Sequence, residues 1–158
     1  MVNIALVGCN GKMGKAVTSA VQSRNDCEIV FGADPFGTPA YDYPVFESLA
    51  VSDKKADVII DFSNPASLDD ILAYALEKKI PCVLCTTGYS PEQVEKIKKA
   101  SESVAVFYSG NMSLGINLLI ELSKEAAKIL SAADFDIEIV EKHHNQKLDA
   151  PSGTALAL

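Results

Sequence analysis

The stretch "VNIALVGCNGKMG", Val2 to Gly14, decides how this chain folds. Its first half is a near-continuous apolar run, the pattern of a strand buried on both faces. Its second half sets Gly8, Gly11 and Gly14 three apart, directly before a segment in which Met13, Val17, Ala20 and Val21 recur at helical spacing as far as about Ser23. A strand, a glycine turn and a helix in that order form a cradle for a diphosphate. Gly8 permits the tight turn, Gly11 lets the backbone approach the ligand, and Gly14 lets the helix lie against the strand. The helix start adds free N–H groups and a partial positive charge, and Lys12 and Met13 lie at that start. Asn10 stands where the commonest form of the motif has its second glycine, and asparagine tolerates left-handed backbone better than most residues.

Alone, the spacing is weak evidence, because a glycine-rich strand-to-helix turn with no ligand also shows it. The next apolar run, "CEIVFGAD", is a second strand, and it closes on Asp34. That is about 20 residues beyond the turn, where an acid grips the ribose hydroxyls of a dinucleotide. Pro35 and Phe36 follow, not a cation for a 2′-phosphate, so the reading leans toward NADH over NADPH. Lys12 is the residue that could reach such a phosphate.

Farther along, "ADVIIDFS", "PCVLCTT" and "SVAVFYS" are three more apolar strands. Between them lies "NPASLDDILAYALEKK", capped by Ser63 or Asn64 with Pro65 in its first turn and a buried stripe of Leu68, Ile71, Leu72, Ala75 and Leu76. The capping box Ser90-Pro91-Glu92-Gln93 opens a further helix. "TPAYDYPVFESLAVSDKK" reads as a loop with a short helical piece. Strands alternating with helices predict an α/β fold with a doubly wound parallel sheet, a Rossmann-like dinucleotide-binding domain. The loops at the strands' C-terminal ends, "GCNGKMG", "TTGYS" and "SGNMS", then share one ligand-binding edge. After the fifth strand comes a long helix, "SLGINLLIELSKEAAKIL", and then "DFDIEIVEKHH", whose alternation predicts a strand covered on one face. The change of pattern marks the beginning of a second, α+β domain. The expected division is residues 1–112 and 113–158, with the long helix as bridge.

The chain has 158 residues, 48% hydrophobic and 22% charged, with a formal net charge of −7. That balance argues against a non-specific nucleic-acid binder, which needs a basic face. No apolar run reaches the roughly 18 residues that span a bilayer. Met1 leads directly into the first strand without a basic segment, so no secretory signal is expected and the cytoplasm is the expected location. Cys82 and Cys85 form C-x-x-C, but residues three apart on a strand point to opposite faces, and no second pair completes a zinc site. The four cysteines read as plain buried thiols, and no metal is expected.

The last eighteen residues, "EKHHNQKLDAPSGTALAL", hold the chain's two histidines, His143 and His144, with Lys147 close by and Ser152-Gly153-Thr154 opening a helix. The bland reading is a solvated turn after an edge strand. The chemical one is a set of candidate proton donors beside backbone amides and hydroxyls that would hold a carboxylate. "DAPSGT" lacks the spacing of a P-loop.

"EKHHNQKLDAPSGTA", with "VGCNGKMG", "DFSNP", "CTTG" and "SGNMSLGIN" in order before it, resembles the dihydrodipicolinate reductases of lysine and diaminopimelate biosynthesis along essentially the whole chain. The resemblance implies hydride transfer from NAD(P)H to the cyclic imine 4-hydroxy-tetrahydrodipicolinate or its dehydrated form, with addition of a proton, to give tetrahydrodipicolinate. His143 then matches the proton donor, and Lys147 the lysine that assists it and holds a carboxylate. His144, Gly153 and Thr154 match substrate-binding positions. Gly8, Asn10, Gly11, Lys12, Met13, Asp34, Cys85, Thr86, Thr87, Ser109, Gly110, Asn111 and Met112 match the cofactor shell. Cys85 stands where the family usually has glycine. The family's members are longer, with more strands and a homotetramer interface, which implies that this chain is cut within the substrate domain. Two other functions stay open: a nucleotide-binding module without catalysis, and another NAD-dependent dehydrogenase, which would keep the glycine turn but not "HHNQKLDAPSGT".

Overall fold

The structure is a computed structural model that describes residues 1–36, 41–143, 145 and 150–158. The chain forms two compact units, Met1–Ser109 and Gly110–Leu158.

The first unit is a six-stranded sheet. Its strands are β1 (Val2–Val7), β2 (Cys27–Ala33), β3 (Val45–Phe46), β4 (Val58–Asp61), β5 (Cys82–Leu84) and β6 (Val106–Tyr108), in the order β3-β2-β1-β4-β5-β6. Every neighbouring pair runs parallel. The order reverses direction between β1 and β4, so the chain leaves β1 toward one side and returns beside it on the other. This is the doubly wound fold read from the alternation of strands and helices.

Helices α1 (Lys12–Gln22), α2 (Leu68–Lys78) and α3 (Pro91–Ser101) cover the sheet. The sheet is apolar on both faces because alternate residues of its central strands serve two cores. Ala5, Val7, Ile59, Cys82 and Leu84 join the cluster that includes Leu68, Ile71, Leu72 and Ala75 of α2 and Ile97 and Ala100 of α3. Ile4 and Leu6 join Cys9 on the other face, with Val17 and Val21 of α1 packed against them. The period-2 alternation of β1 is thus hidden in the sequence because both of its phases are apolar.

Local chemistry fixes the helix starts. Asn64 accepts a hydrogen bond from the Ala66 amide at 3.0 Å and opens a 3-10 turn, Pro65–Ser67, that runs into α2. Ser90 and Gln93 form the expected reciprocal capping box at α3.

Four expectations need correction. Met13 and Ala20 of α1 face solvent, and the buried row is Gly14 and Thr18 flanked by Val17 and Val21. The helix packs by its smallest residue because α1 lies close on the turn. Leu76 is 40% exposed, and Tyr74 is buried in its place. The segment read as a loop contributes β3, which pairs with β2 through Gly32↔Val45 and Ala33↔Phe46. Lastly, residues 134–143 do not form a strand. A strand is defined by its neighbours, and no described residue offers this segment a ladder, so its alternating Phe135, Ile137 and Ile139 remain exposed.

The second unit holds α4 (Leu114–Ser131), that extended segment, and α5 (Gly153–Ala157). Ser113 caps α4 by accepting from the Ile116 amide, and Ser152 caps α5 by accepting from Ala155 at 3.0 Å. The start of a helix at "PSGT" is as expected. No helix among the described residues is long and apolar enough to cross a membrane.

Candidate functional site

The β1–α1 turn is built on two glycines whose absent Cβ atoms make room for backbone. Gly8 sits at φ +75°, and a Cβ there would lie 2.5 Å from the Phe62 carbonyl oxygen. A Cβ on Gly14 would overlap Gly8 O and the Cys9 backbone. Asn10 is not left-handed, because Gly8 alone supplies the positive φ in this turn. Gly11 caps α1, which has no side-chain cap and no acidic residue in its first turn. The amides at the α1 start are therefore not shielded by a competing side-chain acceptor, which leaves them suited to an anion.

Asp34, just past β2, holds the other side of the turn. Its carboxylate accepts from the Asn10 amide at 3.0 Å and from the Phe36 amide at 2.9 Å. The Asn10 side chain in turn donates to the Phe36 carbonyl. The acid thus ties the β2 end to the glycine turn. Tyr41 donates to the Cys9 carbonyl at 2.9 Å and Tyr43 bonds the Thr18 hydroxyl at 2.8 Å, with their rings stacked 4.8 Å apart. Neither tyrosine was singled out in the sequence. Burial, with Asp34 nearby, pushes the Cys9 thiol up to about 11.

Gly8, Gly11, Asp34 and Phe36 line a cavity of about 570 Å³ together with Ser63 and Asp70. It opens between the ends of β1, β2 and β4, at the place where the strand order reverses. That is the position at which open α/β sheets take their ligands.

A second carboxylate lies deeper. Asp61 ends β4 fully buried and accepts from the Ser63 amide at 2.9 Å, from the Ser63 hydroxyl, and from the Tyr89 phenol at 3.1 Å. These donors offset the cost of burying it. Asp61 thereby joins the loop after β4 to the loop after β5, where Cys85, Thr86 and Thr87 stand. Its charge and the surrounding burial raise Tyr89, and they push the Cys82 and Cys85 thiols up to about 11, burial being the larger cause. Thr86 is buried beside the Tyr89 phenol, and its hydroxyl makes no hydrogen bond of ordinary geometry among the described residues. The sequence carried a signal for Asp61 in an acid that closes an apolar strand beside the point of reversal. Ser109 follows β6 on the same edge of the sheet and accepts its place through its amide, which donates to the Leu84 carbonyl at 3.0 Å.

All four cysteines are free thiols, and no cluster of three or more metal-ligating side chains occurs among the described residues.

The second unit carries its own polar cluster. His143 Nδ1 lies 3.4 Å from Glu141 Oε2, and Glu141 Oε1 accepts from the Ser152 amide at 2.8 Å. Asn111 donates to the Thr154 hydroxyl at 3.3 Å, and its own side-chain oxygen accepts from the Ser113 amide. Gly110 and Met112 flank Asn111, and Gly153 opens α5. His144 and Lys147 lie outside the described residues. Glu141 was missed in the sequence, although residues two apart in an extended chain share a face, which puts an acid beside His143.

The comparisons with known proteins agree along the chain. The family model "Dihydrodipicolinate reductase, N-terminus" matches residues 2–112, and "Dihydrodipicolinate reductase, C-terminus" matches residues 115–158. A 4-hydroxy-tetrahydrodipicolinate reductase of Clostridium tetani is 53% identical over 158 residues, and one of Clostridium novyi is 49% identical. Each match covers all of this chain and 62% of the relative, so the chain spans less than two thirds of the length of these relatives. A solved structure, the dipicolinate-bound dihydrodipicolinate reductase from Paenisporosarcina sp. TG-14, superposes with a TM-score of 0.78 at 31% identity. It covers 99% of this chain and 63% of that one. A glycine turn alone would leave many dehydrogenases in play, but matches that continue through the His143 segment to Leu158 do not, and the chain belongs to the dihydrodipicolinate reductase family.

Proposed function

We propose that this chain carries the cofactor site and the proton-donating segment of an NAD(P)H-dependent reductase that converts 4-hydroxy-tetrahydrodipicolinate to tetrahydrodipicolinate in the lysine and diaminopimelate route of the cytoplasm. The observation that carries this reading is one cavity shared by the glycine turn and Asp34 in a chain whose His143 segment matches the same family. Residues 1–112 serve as the dinucleotide-binding domain and 113–158 as part of the substrate domain. Assembly as a homotetramer belongs to the same proposal.

The residues present fit a dinucleotide. Gly8 and Gly14 let the turn fold tightly against Phe62 and its own backbone, and the α1 start that this turn presents lacks a side-chain cap. The buried Thr86 hydroxyl, beside the Tyr89 phenol and without a hydrogen bond of ordinary geometry, is suited to a polar group of the ligand. Gly8 to Met13 hold the diphosphate, and Asp34 takes the ribose hydroxyls. Cys85 to Thr87 and Ser109 to Met112 complete the shell. The lean toward NADH follows from Asp34, since a 2′-phosphate would meet a carboxylate there. When bound, the nicotinamide supplies the hydride.

The chain's own residues do the rest. The substrate's 4-hydroxyl is lost as water, His143 gives the proton that balances the hydride, Lys147 assists and holds one carboxylate, and His144, Gly153 and Thr154 hold the substrate. The bound dipicolinate named for the Paenisporosarcina protein is a planar pyridine dicarboxylate, the kind of ligand these residues would grip.

Steady-state oxidation of NADH with freshly made substrate tests the reading. Replacing His143 or Lys147 is expected to lower turnover by about two to four decades, the usual worth of acid–base help. Unchanged turnover in both variants rejects the assigned roles. Calorimetric NADH titration with and without dipicolinate separates the reductase from a bare nucleotide-binding module, which would ignore the dicarboxylate.

A further inference from the structure

We infer that Glu141 is the positioning residue of the substrate half: one carboxylate that sets both the ring of His143 and the turn entering Ser152-Gly153-Thr154. The inference rests on His143 being the proton donor, as proposed above.

The geometry uses both carboxylate oxygens in different directions. Oε2 stands 3.4 Å from His143 Nδ1, and Oε1 takes the Ser152 amide at 2.8 Å. Ser152 is one of the few buried polar residues of the chain and spends its hydroxyl on capping α5. Its amide therefore cannot be left to water without cost, and Glu141 is the acceptor it has. Glu141 and Ser152 are eleven positions apart in the chain, so this bond ties the segment ending at His143 to the start of α5, where Gly153 and Thr154 stand.

The chemical consequence lies at the imidazole. A carboxylate at Nδ1 keeps a proton there in the neutral ring, which leaves Nε2 as the nitrogen that loses and regains the proton. The donating ring is the cation, with protons on both nitrogens, and the contact at Nδ1 fixes the ring orientation in which Nε2 is the nitrogen that gives its proton. Glu141 thus affects turnover through His143 and substrate affinity through Ser152, by separate oxygens.

Two substitutions divide these effects. Glu141→Gln keeps a side-chain oxygen for the Ser152 amide but removes the charge at Nδ1. It is expected to lower kcat about tenfold with KM changed by less than about threefold. Glu141→Ala removes both contacts and is expected to lower kcat and raise KM together. An independent readout is the long-range proton–nitrogen spectrum of the chain with ¹⁵N-labelled histidine, the His143 ring being identified by its loss in His143→Gln. The neutral ring is expected to carry its proton on Nδ1 in the parent chain and mostly on Nε2 in Glu141→Ala. A purely structural role for Glu141 would not move this signature.

An unchanged tautomer in Glu141→Ala overturns the inference. So does an unchanged kcat in both Glu141 variants while His143→Gln is impaired. Should His143→Gln itself turn over normally, the proton-donor reading falls, and the tautomer alone then decides whether Glu141 holds the ring.

Discussion

The two units of this chain obey the same rules of patterning and reach different ends. In Met1–Ser109 both apolar faces of the central strands find partners, since β1 serves α1 on one side and the α2–α3 layer on the other. In Gly110–Leu158 the pattern is as strong, yet Leu114, Leu118, Leu122, Ile137 and Val140 are all exposed. Periodicity states what a segment would bury. Only a neighbour turns that into a strand or a core, and the described residues supply neighbours to the first unit alone.

The largest effect that could break this contrast lies at the turn. Gly14→Ala drives a Cβ into the Gly8 carbonyl and the Cys9 backbone, with no flexible side chain to yield. It is expected to cost the first unit about 3 kcal/mol in urea unfolding. A loss below about 1 kcal/mol would mean that α1 does not need its close seat on β1.

The buried thiols sharpen the contrast next. Cys9, Cys82 and Cys85 rise from 9.0 to about 11 on folding, and Tyr89 moves in the same direction. The folded state thus holds protons that the unfolded chain gives up. The stability this lends is whole below pH 9 and is lost as pH rises toward 11. The unfolding midpoint of the first unit is expected to fall over that interval, and a midpoint independent of pH there contradicts the burial assigned to these thiols.

The smallest effect belongs to the second unit. Ile139→Ser alters a side chain that is 52% exposed and is expected to change stability by no more than about 0.5 kcal/mol. A loss of 2 kcal/mol or more in the same unfolding measurement would reveal a partner for the alternating face.

These differences explain what could be read from the residues. The sheet, its helices and the capping box at Ser90 were legible because each rests on local chemistry repeated over many residues. Strand β3 was not, since Val45 and Phe46 carry no periodicity. What aligns them is the pair of bonds from the Gly32 amide to Pro44 O and from the Asp34 amide to Phe46 O. The strand expected over 134–144 is absent from the described residues 134–143 for the converse reason, a good pattern without a ladder. At the site, Gly8, Gly11 and Asp34 were legible from spacing, and the cavity that they share was not. Asp61 and Glu141 escaped notice because an acid's role depends on which amides fold toward it.

Cofactor binding as proposed requires a diphosphate lying over the glycine turn, and NADH titration of the parent chain and of Gly11→Val by calorimetry tests this. Gly11 sits at φ −70°, so valine demands no left-handed backbone, and its nearest neighbour is the Gly8 carbonyl at 3.3 Å from a new Cβ. The variant is expected to keep its sheet, seen as an unchanged far-UV spectrum, and to lose NADH affinity by at least about tenfold, because bulk then stands where the ligand must approach. Equal affinity in a folded Gly11→Val would place the nucleotide elsewhere and contradict the account.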